Sequence, residues 1–205
     1  MIRNIVFDIG GVLADFRIQE FLAEKGFDGQ TIRRILKASA LNPAWGKFER
    51  GEISEEETVQ AFVDADPGIE QELRLAFRSL EGMLVSRPYA IPLVRQLKEA
   101  GYGVYYLSNY SRKAYEECGE SLNFMPDMDG GLVSFRAGLT KPDPAIYRLF
   151  LSSYSLKAGE CVFVDDTEEN VRVAKEVGFE GIVFSSPEQL TGALEALGIR
   201  NGKAL

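Results

Sequence analysis

The chain has 205 residues, 45% of them hydrophobic and 26% charged, a balance that describes a globular protein with enough apolar side chains for a sizeable core. Its formal net charge of -8 excludes the basic footprint that nucleic acid or an anionic membrane surface requires of a partner. Histidine is absent, which excludes Ser-His-Asp and Cys-His hydrolysis and every His-ligated metal, and leaves hydrolytic chemistry to carboxylates, hydroxyls and lysine. The opening Met1-Ile2-Arg3-Asn4 runs straight into an apolar segment without a leader pattern, and no run approaches the ~18 apolar residues of a membrane span, so a cytoplasmic location is expected. Cys118 and Cys161 have no spacing that suggests zinc or a disulfide framework and read as packing residues.

Ile5-Val6-Phe7 is a continuous β-branched and aromatic run, the pattern of a central strand buried on both faces of a parallel sheet. It delivers Asp8 onto the turn Gly10-Gly11, whose backbone N–H groups can face an anion. Taken alone, an acid in that place is a turn cap.

From Phe16 to Ser86 the pattern turns helical and charged, with apolar faces at Ile32, Ile35 and Leu36, at Phe62 and Val63, and at Leu73, Ala76, Phe77 and Leu80. Ser54 and Glu57 have capping-box spacing, and Asp66-Pro67-Gly68 reads as a turn between helices. Residues 16–86 are therefore expected to form an inserted helical subdomain, with 1–15 and 87–205 as one α/β core.

After Pro88 helices alternate with apolar runs. A helix carrying Leu93, Val94 and Leu97 ends at Gly101, and Val104-Tyr105-Tyr106-Leu107 reads as a second strand stopping on Ser108-Asn109. A helix over 112–121 is expected next, then a glycine-rich segment in which Leu132, Val133 and Phe135 form a short extra strand or hairpin. Lys141-Pro142-Asp143-Pro144 opens a helix with Ile146, Tyr147, Leu149 and Phe150 on its apolar side. Cys161-Val162-Phe163-Val164 reads as a third strand stopping on Asp165-Asp166, followed by a helix closed by Gly178. Ile182-Val183-Phe184 reads as a fourth strand. Ser186-Pro187 starts the last helix, and the tail after Gly198 is expected to fray.

Three strands thus end in polar groups, and right-handed crossovers in a Rossmann-like parallel sheet would gather Asp8, Ser108, Asn109, Lys141, Asp165 and Asp166 on one edge. Two carboxylates 4 Å apart repel by about 4 kcal/mol at an effective dielectric near 20, so the cluster calls for a cation. Oxygen-only ligands favour Mg²⁺. The alternative for Asp165-Asp166 is a solvated cap on the helix that follows.

These residues resemble the haloacid dehalogenase superfamily, most of whose members are phosphatases. Its four signature stretches stand in order as Asp8-Ile9-Gly10-Gly11-Val12, Leu107-Ser108-Asn109, Lys141-Pro142-Asp143-Pro144 and Val164-Asp165-Asp166-Thr167-Glu168-Glu169-Asn170. The helical insertion resembles the cap of one branch, and Phe48-Glu49-Arg50-Gly51-Glu52-Ile53-Ser54 is similar to a group that includes bacterial α-glucose-1-phosphate phosphatases. The resemblance implies an aspartyl-phosphate on Asp8, with Mg²⁺ held by Asp8, the carbonyl of Gly10, Asp166 and, directly or through water, Asp165. It implies that Ser108 and the Gly10-Gly11 turn bind phosphoryl oxygens, that Lys141 neutralises charge in transfer, that Asn109 orients the substrate or the loop, and that Asn170 supports the metal ligands. The implied partner is a small phosphorylated metabolite.

One position departs from the pattern. Most phosphatases of the superfamily carry a second aspartate two residues after the nucleophile, and here that place is Gly10. General acid–base help is typically worth about 10²–10⁴-fold, so either the leaving group is a good one, such as an anomeric sugar phosphate, or another group carries the proton. Asp15, Glu49 and Glu52 are the candidates. The group with the similar cap shares the glycine and includes working phosphatases. A 2-haloacid dehalogenase, which uses the same aspartate without metal, and a catalytically idle relative that binds a phosphometabolite or a partner are the competing readings. In the cap, Trp45 and Phe48 are candidates for pocket or core, core being favoured for Phe48, and Arg50 is expected to face the substrate.

Overall fold

The computed structural model describes residues 1–199. Its centre is β1 (Asn4–Phe7), whose Ile5, Val6 and Phe7 are fully buried because the strand is covered on both faces and paired on both edges. β1 lies between β4 (Gly103–Ser108) and β6 (Cys161–Asp165). β5 (Gly130–Val133) and β7 (Glu180–Val183) close the sheet, giving the order β5-β4-β1-β6-β7 with every pairing parallel. The α/β Rossmann-like architecture expected from the alternation is therefore present. Its helices are α6 (Ala90–Glu99), α7 (Arg112–Glu117), the single turn α8 (Ser134–Ala137), α9 (Pro144–Ser153) and α10 (Glu168–Val177), with α11 (Pro187–Ala196) following the last strand.

Short polar residues start several of these helices, and their side chains accept N–H bonds that would otherwise lack partners: Ser111 before α7, Asp143 before α9 and Ser186 before α11. The register of the strands then decides where the polar ends meet. Phe7 pairs with both Tyr106 and Val164, and the Asp8 N–H donates to Val164 O at 2.8 Å, so Asp8 and Asp165 leave the sheet side by side. Ser108 leaves it one residue further on the other side, paired with Val133.

After the turn at Gly11 the chain forms β2 (Ala14–Phe16), which pairs antiparallel with β3 (Leu84–Ser86). This two-stranded ribbon was not anticipated from the sequence, where each strand is only three residues long and falls on a change of pattern. Everything between its strands is helical or turn: α1 (Ile18–Glu24), α2 (Gly29–Ser39), α3 (Pro43–Glu49), α4 (Glu55–Ala65) and α5 (Glu70–Phe77). Ser54 caps α4 through the expected capping box with Glu57, and Asn42 caps α3. Trp45, Phe62 and Phe77 pack against one another at 5.0 to 6.1 Å between ring centroids. Those helices share one apolar cluster with the sheet, since Phe62, Leu73 and Phe77 connect through buried neighbours to Ile5, Phe7 and Val104.

Four expectations are corrected. The helix from Arg112 stops at Glu117, where Cys118 and Gly119 turn the chain into a 3₁₀ segment. Leu132 and Val133 form an edge strand of the main sheet, whereas Phe135 belongs to α8. The last strand runs from Glu180 to Val183 and leaves out Phe184. Fraying does not begin at Gly198, because Ile199 is buried and its N–H donates to Leu194 O at 2.9 Å; the rest of that tail lies outside the described residues. Among the described residues no helix is long and apolar enough to cross a membrane.

Candidate active site

The carboxyl ends of β1, β4 and β6 open onto a cavity of about 430 Å³ lined by Asp8, Gly10, Gly11, Asp15, Phe16, Ser108, Asn109, Lys141, Asp166, Thr167 and Asn170. The lining holds all the core residues singled out in the sequence except Asp165, which is fully buried but has an oxygen within 4.8 Å of Asp8 and Asp166.

Lys141 is the hinge of the arrangement. Its side chain is 1% exposed, and Nζ lies 2.9 Å from Asp8 Oδ1 and 2.6 Å from Asp165 Oδ2. Asn109 fixes the lysine from its backbone: the Asn109 amide donates to Lys141 O at 3.0 Å, and the Lys141 N–H donates to Asn109 Oδ1 at 2.8 Å. The reciprocal pair ties the end of β4 to the start of α9, so of the two roles expected for Asn109 the loop-orienting one has a structural counterpart.

Asp165 is fully buried, and both its oxygens are occupied. Oδ1 accepts from the Thr167 N–H at 2.8 Å, Oδ2 from Lys141, and the Asn170 amide donates at 3.1 Å to each. Asn170 is anchored in turn by Tyr147, whose hydroxyl donates to Asn170 O at 2.9 Å. Asp166 points the other way, exposed to the cavity and against Gly11: a Cβ built there would lie 2.1 Å from Asp166 Oδ2, and φ is +72°. Only glycine is compatible with both.

Each of Asp8, Asp165 and Asp166 offers an oxygen within 4.8 Å of the others. Three acids against the single ammonium of Lys141 leave negative charge in excess, and an all-oxygen donor set of this kind suits a hard divalent cation. The strain of assembling them is visible at Asp8, whose carboxyl is pushed up to about 6. Burial is the main cause and the charge of Asp165 adds to it, while Lys141 and the Ser108 hydroxyl pull it down. Burial raises Asp166 as well, with Asp165 contributing.

Gly10 has no side chain, and the space beside it is taken. A Cβ there would lie 3.1 Å from Cδ2 of Phe16, an exposed residue that lines the cavity from β2. Nothing in the sequence distinguished Phe16; it becomes a neighbour of Gly10 only because the turn and β2 fold the chain back. Behind it the Tyr110 hydroxyl is buried without a hydrogen-bond partner.

Of the inserted helices, α3 ends on Glu49, whose carboxyl feels the charges of Lys141 and Asp8, although neither Glu49 nor Arg50 lines the cavity. Arg50, expected to face the substrate, is not in the cavity lining. It is held by Glu52, with Nε to Oε1 at 2.6 Å and Nη2 to Oε2 at 3.1 Å, a pairing that two residues separated by Gly51 make with each other more readily than with a distant ligand. Phe48 is buried, and Trp45 stacks on Phe62 and packs against Phe48 and Phe77 at steeper angles, so both aromatic residues serve the helical core. Cys118 and Cys161 are buried free thiols that burial pushes up.

The chain is 29% identical over 180 residues to the sesquiterpene phosphatase of Aspergillus oryzae, covering 88% of each. It is 28% identical over 206 residues to the D-ribitol-5-phosphate phosphatase of Bacteroides thetaiotaomicron, covering 88% of this chain and 90% of that protein. Its fold is similar to that of a HAD family enzyme from Bacteroides thetaiotaomicron, with a TM-score of 0.73 at 24% identity over 94% of this chain and 98% of the other. That enzyme has also been solved in complex with magnesium and inorganic phosphate. Residues 2–178 match the family model for haloacid dehalogenase-like hydrolases, and over that span the protein belongs to this family.

Proposed function

We propose that the protein is a Mg²⁺-dependent phosphatase that cleaves a small phosphate monoester, with a sugar phosphate as the favoured class, through an aspartyl-phosphate on Asp8. The observation that carries this reading is the charge balance at the end of β1. One carboxylate faces the cavity beside a buried ammonium and two further acids, an arrangement that an added divalent cation and a phosphoryl dianion together would neutralise. The phosphatases among the relatives support the reaction class, and the D-ribitol-5-phosphate enzyme supports a phosphorylated sugar or polyol.

In this reading an Asp8 carboxylate oxygen attacks phosphorus, the ester P–O bond breaks, and the leaving oxygen departs with its electron pair. Water then attacks the aspartyl-phosphate and returns Asp8. Ser108 and the N–H groups of the Gly10-Gly11 turn hydrogen-bond the phosphoryl oxygens, and Lys141 opposes the charge that builds on them. Asp8, the Gly10 carbonyl and Asp166 would hold Mg²⁺. Asp165 would be a further ligand, directly or through water, while it also holds Lys141 and is itself held by Asn170. When bound, the ion offsets repulsion between the carboxylate and the phosphate dianion. Residues 16–86 act as the cap over a core of 1–15 and 87–205, with the β2–β3 ribbon as its stalk.

The test is phosphate release from a panel of sugar phosphates with Mg²⁺ or with chelator, beside halide release from chloroacetate. Mg²⁺-dependent phosphate release that Asp8→Asn abolishes, in a folded variant, supports the reading. Metal-independent halide release would establish a dehalogenase in its place, and silence toward every ester would leave the idle relative.

A further inference from the structure

Resting on that reading, we infer that Glu49, at the end of α3, is the proton carrier that Gly10 cannot be: the inserted helices deliver to the leaving-group oxygen the acid that the first signature stretch lacks.

The backbone places it there. The Ser134 hydroxyl is fully buried and donates to Glu49 O at 2.6 Å, while its oxygen accepts the Tyr110 N–H at 2.8 Å. Ser134 follows Val133, the partner of Ser108 in the sheet, and Tyr110 lies two residues past Ser108. The end of α3 is thereby pinned to the same sheet edge that carries Asp8, Ser108 and Asp165. Gly51 permits the approach: its φ is +69°, and a Cβ there would lie 3.3 Å from Phe135 O.

Among the three candidate acids, the side-chain partners separate Glu49 from the others. Asp15 is held by Arg87 at 2.7 Å and Glu52 by Arg50 at 2.6 Å, and the Arg50 guanidinium lowers the Glu52 carboxyl and favours its anion, which has no proton to give. Glu49 instead accepts from the neutral indole N–H of Trp45 at 3.1 Å, which orients the carboxyl. The carboxyl of Glu49 is raised, chiefly by burial, with Trp45 and Lys141 lowering it, Asp8 raising it and Arg50 acting more weakly. Among the titratable groups of α1–α5 that shift, it alone feels both Asp8 and Lys141.

The proton balance closes over one turnover. As Asp8 displaces the ester oxygen, that oxygen takes the Glu49 proton and leaves as the alcohol. Glu49, now a carboxylate, accepts a proton from the water that attacks the aspartyl-phosphate; Asp8 leaves with the P–O electron pair, and Glu49 is again the acid.

Glu49→Gln keeps the acceptor for Trp45 but carries no labile acid. It is compared with wild type and Glu49→Asp, all with Mg²⁺, on an alkyl phosphate and on p-nitrophenyl phosphate, whose leaving group departs without a proton. For Glu49→Gln the expected result is a 10²–10⁴-fold fall in kcat/KM on the alkyl ester. On the aryl ester, first-turnover nitrophenolate release stays within about threefold of wild type while steady-state turnover falls, because water attack has lost its base. Glu49→Asp recovers part of the alkyl activity. Equal losses on both esters, no loss on either, or a wild type that cleaves only the aryl ester overturns the assignment while leaving Asp8 in place. A wild type that cleaves neither overturns the phosphatase reading and this assignment together.

Discussion

Replacing Lys141 with methionine removes the one ammonium from a buried cluster of carboxylates at nearly constant side-chain volume. With Nζ 2.9 Å from Asp8 and 2.6 Å from Asp165, the Coulombic attraction is about 6 kcal/mol for each pair at an effective dielectric near 20. Desolvation of the three groups cancels most of it, and the measurable loss on deleting one partner of such a buried pair is typically about 3–5 kcal/mol. That loss should depend on pH in a defined direction. Asp8 is already pushed up to about 6 with Lys141 present, and without it the carboxyl rises further, so at pH 5 Asp8 takes up a proton and relieves the repulsion. The assay is urea unfolding in chelator at pH 5 and pH 8, with the slope m as a check that the surface exposed on unfolding is unchanged. The midpoint should drop by more at pH 8 than at pH 5, and adding Mg²⁺ at pH 8 should restore part of it. A loss under about 1 kcal/mol, or one that is the same at both pH values, would refute a charge-balanced cluster organised on Lys141.

Three further outcomes follow from the same geometry. Gly11→Ala must place a methyl against Asp166 and force an L-residue to φ +72°, so it should cost about 1–2 kcal/mol in chemical unfolding and raise the Mg²⁺ concentration for half-maximal activity at least tenfold. Phe62→Ala, at a fully buried residue in an aromatic group continuous with the sheet cluster, should cost about 3–5 kcal/mol, with the helices and the sheet still melting in one calorimetric transition. In the metal-free protein Asp8 binds its proton more tightly folded than unfolded, so this group's contribution to stability is present below its ordinary value near 3.8 and declines as pH rises through about 6; Asp8→Asn should flatten that part of the stability profile, followed by urea midpoints.

Much of the site was legible because its residues sit at strand ends, where hydrophobic runs stop on polar groups. Asp8, Ser108 and Asp166 line the cavity for that reason, Lys141 joins them from the segment that leads into α9, and Asn170 lies one helical turn beyond Asp166. Arg50 was misplaced because its proximity to Glu52 is a matter of turn geometry at Gly51, which composition does not reveal. Ser134 and Phe16 left no signal: one acts through a hydroxyl bonded to backbone 85 residues away, the other by folding back over a glycine.

The sequence by itself determined the alternation of strands and helices and the chemical identity of the groups at the strand ends, because both follow from local periodicity and residue type. The division of labour among those groups was decided by tertiary structure alone. Adjacent in the chain, Asp165 and Asp166 face opposite ways from the end of one strand, so one is spent on a buried lysine while the other stays open to the cavity. Likewise Asp15, Glu49 and Glu52 are equivalent acids until packing assigns an arginine to two of them and an indole to the third. Partners of that kind come from segments far apart in the chain, and their distances are set by strand register and helix docking, which no local pattern encodes.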